Sequence, residues 1–186
     1  MAIQIIELSK ADWQGHLLPF RYTADTFFDV EITQNGCNFV INLTEKPLDV
    51  PYIKALHDSD ALFQHWVEQP IAWGVVQDGE LLAAIETAVE GWANRLIVTE
   101  LWVDESLRRK GVATALMDKA IQRARDEGRR AVVLETQSCN PGAIRFYLNY
   151  GYMLIGFDTC AYQNNDVQRR EVRLDFGVLL TDGRVD

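Results

Sequence analysis

One stretch of the chain joins an apolar half to a basic half: LIVTELWVDESLRRKGVAT, residues 96–114. The first half is rich in aliphatic and β-branched residues, which predicts a buried strand. The second half is a turn rich in Arg, Lys and Gly that leads directly into a helical pattern. The sequence therefore predicts a helix whose N-terminus is positioned by the end of a buried strand.

The predicted start of this helix is suited to binding a phosphate group. The first backbone N–H groups of a helix lack internal acceptors and lie at the positive end of the helix dipole. Gly111 lets the backbone approach an anion closely, and Ala113 is the next smallest choice. Positive charge comes from Arg108, Arg109 and Lys110. The alternative is an ordinary basic turn that caps a surface helix, because the spacing is neither a G-x-G-x-x-G nor a Walker A pattern.

A second motif lies in VVLETQSCNPGAIRFYLNYGY, residues 132–152, which contains N-x-x-A-x-x-F-Y-x-x-x-G-Y. In this order and about one helix apart, the two motifs resemble the coenzyme A site of the GNAT N-acyltransferase superfamily. The stretch from Leu134 to Tyr162 is similar in particular to the streptothricin acetyltransferases, which acetylate an amine of a cationic antibiotic. Thr99 is a departure, because those enzymes tend to carry a carboxylate at its place. The resemblance implies an N-acetyltransferase with acetyl-CoA as co-substrate.

The pattern of apolar residues predicts strands and helices along the whole chain. Two hairpins are expected around the turns at residues 35–36 and 78–79. One helix is expected from Val112 to Glu127, and another begins at Pro141 and ends at Gly151. Residues 52–68 have a looser helical pattern that predicts a covering helix.

The fold implied by the resemblance is α/β, with a mixed sheet of about seven strands and helices on both faces. In the GNAT fold two central parallel strands splay apart. Those strands map to Leu96–Asp104 and Ala131–Thr136 in this sequence.

Length and composition predict a single domain. At 186 residues and 48% hydrophobic composition, the chain is long enough to bury a sizeable core. We expect one GNAT domain over residues 1–186. Within it, residues 1–95 are the acceptor-side half, residues 96–162 are the acetyl-CoA-binding core, and residues 163–186 are the last strand and a tail.

Charge and cysteine usage limit the partners. A net charge of -9 argues against nucleic acid and favours a cationic acceptor. No apolar run approaches the roughly 18 residues of a membrane span, and the chain start lacks a signal-peptide pattern, so we expect a cytoplasmic protein without a membrane partner. Cys37, Cys139 and Cys160 form no metal-binding pattern. A homodimer through an exposed edge of the last strand is a further expectation.

The resemblance implies which residues bind the coenzyme. Backbone groups of Leu101, Trp102 and Val103 would contact the thioester and the pantetheine arm. Asn140 would cap the helix that follows it, or bind pantetheine, or do both. The pyrophosphate would bind at the turn and the helix start, which comprise Arg108, Arg109, Lys110, Gly111, Val112, Ala113 and Thr114.

The reaction needs an acid and a base. Tyr147 matches the general acid of the family and would donate a proton to the departing thiolate, and the alternative is a core tyrosine. Glu100 is the favoured base, on the central strand just before an expected bulge. Its alternatives are a structural ion pair with an Arg and, as a second carboxylate, Glu135 on the facing strand. A carboxylate in an apolar strand is costly unless it is paired or hydrated, so at least one is expected to face the cleft.

The acceptor side is less defined by the sequence. Asp29 and Trp92 fall where streptothricin acetyltransferases have similar residues, and Glu135 is a third candidate to contact the substrate. Two other functions stay open. One is acetylation of a protein or peptide by the same superfamily, and the other is a non-catalytic module that binds acyl-CoA.

Overall fold

The computed structural model describes residues 3–54 and 60–180. Within these residues the chain forms nine strands and four α-helices. The strands are β1 Ile6–Leu8, β2 Tyr22–Asn35, β3 Asn38–Lys54, β4 Ile71–Gln77, β5 Glu80–Glu90, β6 Arg95–Val103, β7 Ala131–Gln137, β8 Met153–Asp158 and β9 Arg173–Leu179. The helices are α1 Lys10–Trp13, α2 Val112–Asp126, α3 Pro141–Tyr150 and α4 Asp166–Arg169.

Seven of the strands form one mixed sheet in the order β1-β4-β5-β6-β7-β9-β8. Strands β1, β4, β5 and β6 pair in antiparallel fashion, whereas β6 and β7 are parallel. Strands β2 and β3 form a separate antiparallel ribbon. The α/β class and the mixed seven-stranded sheet are therefore confirmed, and the first predicted hairpin lies outside that sheet.

The central pairing of the sheet is short. Strands β6 and β7 pair from Arg95 with Ala131 to Val98 with Leu134, and the register ends there although β6 continues to Val103. On its other side β6 shifts register against β5, so that Thr99 forms a bulge opposite the Glu86–Thr87 step. The carboxyl half of β6 is therefore paired differently from its first half.

The chain divides into two compact units. Of the described residues, the first unit holds 3–20, 60–134 and 177–180, and the second holds 21–54 and 135–176. In the first unit α2 packs on β4, β5 and β6. Its buried face includes Leu116, Met117 and Ala120, which recur at helical spacing as predicted.

The second unit contains the β2–β3 ribbon and α3, which packs on β2. Helix α3 buries Ile144 and Tyr147 and ends at Gly151, whose φ of 110° is in the left-handed region. The amide of Gly151 closes the last turn on the carbonyls of Tyr147 and Leu148. Both ends of this helix lie where the sequence predicts them.

The predicted covering helix over residues 52–68 is wrong. Strand β3 continues to Lys54, and residues 60–68 form turns with an isolated bridge between Leu17 and Ala61. Ala61, Leu62 and Phe63 are buried in succession, which does not match one face of a helix. Residues 55–59 of that prediction, and the predicted tail at 181–186, lie outside the described residues.

The length and apolarity of the helices can be compared with those of a membrane-spanning helix. Among the described residues, every helix falls short of the length and apolarity that a membrane crossing requires.

Candidate active site

The carboxyl end of β6 anchors the basic turn of the first unit. Trp102 is buried, whereas Leu101 and Val103 are half-buried. Asp104 accepts a hydrogen bond from the Ser106 amide at 2.9 Å, and the side chain and backbone of Ser106 hold the pKa of that carboxyl below its usual value. The Nε of Arg108 donates to the Val103 carbonyl at 3.2 Å. The turn is thus fixed to the strand end by short-range hydrogen bonds.

The turn leads into the N-terminus of α2, which no side chain caps. Gly111 is the N-cap of α2 and has a φ of 79°. Because glycine has no side chain, it offers no side-chain oxygen to the first helical amides. Arg109 has a φ of 60°, a conformation that is strained for a residue with a side chain. Arg109, Lys110 and Thr114 are exposed, and the first turn of α2 contains no acidic residue.

This geometry fits the pyrophosphate group that the sequence predicts there. Uncapped amides, a helix dipole and exposed cations together favour an anion. The alternative of an ordinary capped helix fits less well, because the Asn140 side chain caps α3 whereas no side chain caps α2. The half-buried Ala113 and the buried Val112 hold the first turn in place.

A carboxylate that the sequence analysis missed lies beside the predicted base. Glu86 is paired in register with Glu100 across β5 and β6, and its side chain is fully buried. One oxygen accepts a hydrogen bond from the Thr99 hydroxyl at 2.8 Å, and the other accepts from the Phe63 amide. Burial raises the pKa of Glu86, and these two hydrogen bonds oppose the rise. A carboxylate therefore does reach Thr99, but it comes from the neighbouring strand.

The bulge in β6 lies at a different position from the one that the sequence predicts. Glu100 is predicted to precede a bulge, whereas the register shift is at Thr99 and Glu100 follows it. The physical reason is the hydrogen bond from Thr99 to Glu86, which turns the Thr99 side chain toward β5. Glu100 itself is half-buried. The signal for Glu86 was present in the sequence, because it is the one carboxylate within the apolar run from Leu81 to Val89.

Helix α3 positions two predicted residues of the second unit. The Oδ1 of Asn140 accepts a hydrogen bond from the Ala143 amide at 3.2 Å, which confirms its predicted capping role. Tyr147 is buried, and its ring lies 5.5 Å from that of Phe146 and 6.1 Å from that of Phe176 between centroids. Aromatic packing therefore fixes the Tyr147 ring, and its role as an acid stays a prediction.

The predicted acceptor residues differ in their surroundings. Asp29 forms an ion pair with Lys46 at 2.6 Å. Glu135 accepts a hydrogen bond from the Tyr162 hydroxyl at 3.3 Å and lies 3.4 Å from an Arg173 nitrogen. Both carboxylates therefore already have partners within the second unit.

Trp92 belongs to the first unit and follows strand β5. It lies in a short 3₁₀ turn, Gly91–Ala93, and is 86% exposed. The guanidinium of Arg95 lies 5.8 Å from the centroid of its ring. At this exposure the indole is not packed against the sheet, and its surface is open to solvent.

The predicted site residues thus fall into two sets. The first unit carries the candidate base, the exposed indole and most of the coenzyme-binding residues: Glu100, Trp92, Leu101, Trp102, Val103 and residues 108–114. The second unit carries the candidate acid, the helix cap and two carboxylates: Tyr147, Asn140, Asp29 and Glu135.

Comparison with known proteins gives one matching family model. The model described as the acetyltransferase (GNAT) family matches residues 11–152. Among curated proteins, the streptothricin acetyltransferase of Streptomyces lavendulae is 28% identical over 148 residues, which cover 76% of each chain. Streptothricin acetyltransferase A of Bacillus subtilis is 29% identical over 128 residues, which cover 68% of this chain and 73% of that one.

Solved structures extend the similarity to nearly the whole chain. A crystal structure of nourseothricin acetyltransferase aligns with a TM-score of 0.76 and 27% identity, covering 97% of this chain and 100% of the other. A Bacillus anthracis protein assigned as a streptothricin acetyltransferase, solved in complex with acetyl coenzyme A, aligns with a TM-score of 0.74. That second alignment covers 97% of this chain and 99% of the other at 20% identity, so it shows the fold.

The buried carboxyl of Glu86 predicts a specific pH dependence of stability. Because its pKa is raised on folding above the unfolded value of about 4.5, the folded state holds its proton more tightly. Its contribution to the free energy of unfolding is fully present below that value and is lost as the pH rises through the folded pKa. The stability of the native protein relative to Glu86→Gln should therefore decline as the pH rises above about 4.5 and level off once it exceeds the folded pKa.

Urea denaturation of both proteins across this range measures that difference. Each unit by which folding raises the pKa corresponds to about 1.4 kcal/mol of decline. A stability difference that does not change with pH would contradict the raised pKa of Glu86.

Proposed function

The chain belongs to the acetyltransferase (GNAT) family and is an acetyl-CoA-dependent N-acetyltransferase, and we propose that its acceptor is a primary amine of a small cationic molecule such as streptothricin. The coenzyme part of this proposal rests on the uncapped N-terminus of α2. The acceptor part rests on the similarity to two streptothricin acetyltransferases over more than two thirds of the chain.

We propose that the coenzyme is held by the residues named in the sequence. When bound, acetyl-CoA supplies an acetyl thioester that an amine can attack. The amides of Arg109 to Thr114 bind the pyrophosphate, because they begin a helix without a side-chain cap. Backbone groups of Leu101 to Val103 orient the arm that carries the thioester, since the pairing of β6 with β7 has already ended at Val98.

We propose proton-transfer roles for two side chains. Tyr147 acts as the general acid, because a phenol with an ordinary pKa of about 10 is protonated at neutral pH and has a proton to give to the thiolate. Glu100 acts as the base for the incoming amine, directly or through water. Its half-buried position on β6 is compatible with contact to a ligand.

The acidic character of the chain supports a cationic acceptor. The net charge of -9 attracts a polyamine-like molecule over long range. Asp29, Glu135 and Trp92 are proposed to contact that acceptor. Because Lys46 and Arg173 already pair with the two carboxylates, amino groups of the acceptor would replace or share these ion pairs. The single domain, the cytoplasmic location, the homodimer and the lack of nucleic acid or membrane partners stay predictions.

Substitution of Gly111 tests the coenzyme site. Gly111→Ala places a methyl group on a residue with a φ of 79° at the proposed pyrophosphate site, so we expect the KM for acetyl-CoA to rise about 5- to 10-fold. Gly128→Ala is a matched control, because Gly128 follows the same helix with a φ of 64°. Both variants should lose similar stability, but only the first should change KM. Equal KM values for acetyl-CoA in the two variants would contradict the assignment of the α2 N-terminus as the pyrophosphate site.

The acceptor is tested by thiol release from acetyl-CoA with a panel of amines. The panel contains streptothricin, polyamines, aminoglycosides and short peptides. We expect turnover with streptothricin and a loss of about 100-fold in kcat for Tyr147→Phe. Tyr22→Phe is the control, because it removes a tyrosine hydroxyl of the same unit that is hydrogen-bonded to Cys139. This variant should keep the kcat of the native protein.

The outcomes of that panel distinguish the alternatives. Turnover confined to peptides would replace the small amine by a protein acceptor. Binding of acetyl-CoA without turnover on any amine would favour a non-catalytic module. Turnover on streptothricin that is unaffected by Tyr147→Phe would keep the substrate class and remove the proposed acid.

A further inference from the structure

The carboxylate of Glu86 holds two parts of the first unit at once. Its side chain is fully buried, and its Oε1 accepts a hydrogen bond from the Thr99 hydroxyl at 2.8 Å. Its Oε2 accepts a hydrogen bond from the backbone amide of Phe63. Thr99 lies at the bulge of β6, whereas Phe63 lies in the turns that precede β4. One side chain therefore links an irregularity of a strand to a loop that is distant in sequence.

The loop at Phe63 is held in a costly conformation. Phe63 has a φ of 55°, which is in the left-handed region that bulky residues rarely adopt. Its side chain is buried in the same apolar cluster as Leu62, Ala84 and Trp102. A buried amide without an acceptor would add a further cost, and the Glu86 carboxylate removes that cost. The carboxylate therefore stabilises the loop as well as the bulge.

The bulge decides on which face of the sheet Glu100 lies. Thr87 pairs with Val98 before the bulge, and Glu86 pairs with Glu100 after it. An unbroken ladder that continued from the first of these pairs would place Glu100 opposite Ile85, which is fully buried. Because successive side chains of a strand point to opposite faces, that shift of one residue would move Glu100 to the other face. The extra residue in β6 is therefore required for the direction of Glu100.

Glu86 stabilises this bulge directly. Thr99 is the residue that leaves the ladder between β5 and β6, and its hydroxyl binds the Glu86 carboxylate. A carboxylate at a fully buried position is costly unless it is hydrogen-bonded. Here both oxygens have partners, and both bonds require the bulge and the loop in their present positions. Glu86 thus specifies where β6 is bulged.

We propose that Glu86 is a positioning residue for acetyl transfer, which acts by fixing the Thr99 bulge and thereby the direction of the Glu100 side chain. This inference rests on the proposed role of Glu100 as the base that deprotonates the amine. Glu86 takes no part in the proton transfer itself, because its side chain is fully buried and both of its oxygens bind groups of the protein.

Substitution of Thr99 tests the proposal with little risk to the fold. Thr99→Val has nearly the same shape and the same branching at Cβ, but it has no hydroxyl to bind Glu86. With the amine of the panel that is turned over fastest, we expect kcat to fall about 10-fold, because a misplaced base works poorly. Thr99→Ser restores the hydroxyl and should recover most of that loss.

Two substitutions of Glu86 separate positioning from proton transfer. Glu86→Gln keeps one acceptor oxygen for the Phe63 amide, and its NH₂ group can donate to the Thr99 hydroxyl oxygen. Glu86→Met has a similar length but can bind neither group. We expect kcat to fall at least about 10-fold in Glu86→Met, and Glu86→Gln should recover most of that loss. Equal losses in the two variants would overturn the proposal, because the charge of the carboxylate would then be what the reaction needs.

Thr87→Val is the matched control for both sets of variants. Thr87 is the next residue of β5 and is fully buried. Its hydroxyl donates to the Ile71 carbonyl at 3.1 Å and accepts from an Arg123 nitrogen at 2.8 Å. Loss of these bonds should lower the melting temperature and leave kcat unchanged. If kcat falls in step with the melting temperature in all variants, the control included, Glu86 has only a structural role and the proposal is overturned.

A double-mutant cycle with Glu100→Gln identifies the residue through which Glu86 acts. In that background Thr99→Val should have no further effect on kcat, because the base that the bulge directs is already absent. A loss of about 10-fold that persists there would overturn the proposal, and so would an unchanged kcat in Thr99→Val alone. If Glu100→Gln alone keeps full activity, the proposed base is wrong and this inference is overturned with it.

Discussion

The short parallel pairing between β6 and β7 is the constraint on which the first unit depends. Its register ends at Val98 and Leu134, while β6 continues for five more residues to Val103. Those residues are no longer paired with β7, although residues 100–103 stay paired with β5, and the strand leads the chain into the basic turn. The bulge at Thr99 and the Glu86 carboxylate that accepts its hydroxyl fix where this change occurs. The N-terminus of α2 is thereby positioned by the end of a strand that stays paired with β5 after its pairing with β7 has ended.

Several local rules are broken around the residues proposed to act. Glu86 is a fully buried carboxylate, Arg109 has a left-handed backbone, and Tyr152 buries a hydroxyl without a partner. Each feature costs stability, whereas helix α2 away from its start follows the ordinary rules of periodicity and capping. Proteins keep such costs mainly where function requires them. In the first unit, Glu86 is paired in register with the proposed base Glu100, and Arg109 lies in the turn proposed to bind the pyrophosphate.

Local signals and distant contacts differ in how well the sequence predicts them. Helix α2, the Asn140 cap and the stop at Gly151 follow from spacing and helix-end chemistry, because neighbouring residues determine them. The link between Glu86 and Phe63 joins residues 23 positions apart, so no periodicity could predict it. The ion pair of Asp29 with Lys46 depends in the same way on the register of β2 and β3. The wrong helix prediction has the same origin at residues 60–68, where Ala61, Leu62 and Phe63 are buried in succession and not along one helical face.

Hydrogen–deuterium exchange with and without acetyl-CoA tests the central claim most directly. The first-turn amides of α2 lack intrahelical acceptors, so they should exchange quickly in the free protein. We expect acetyl-CoA to slow exchange at residues 109–114 and 101–103, and to leave the ribbon turn at residues 35–38 unchanged. Slowed exchange elsewhere, with residues 109–114 unaffected, would contradict the assignment of the coenzyme site to the end of β6 and the start of α2.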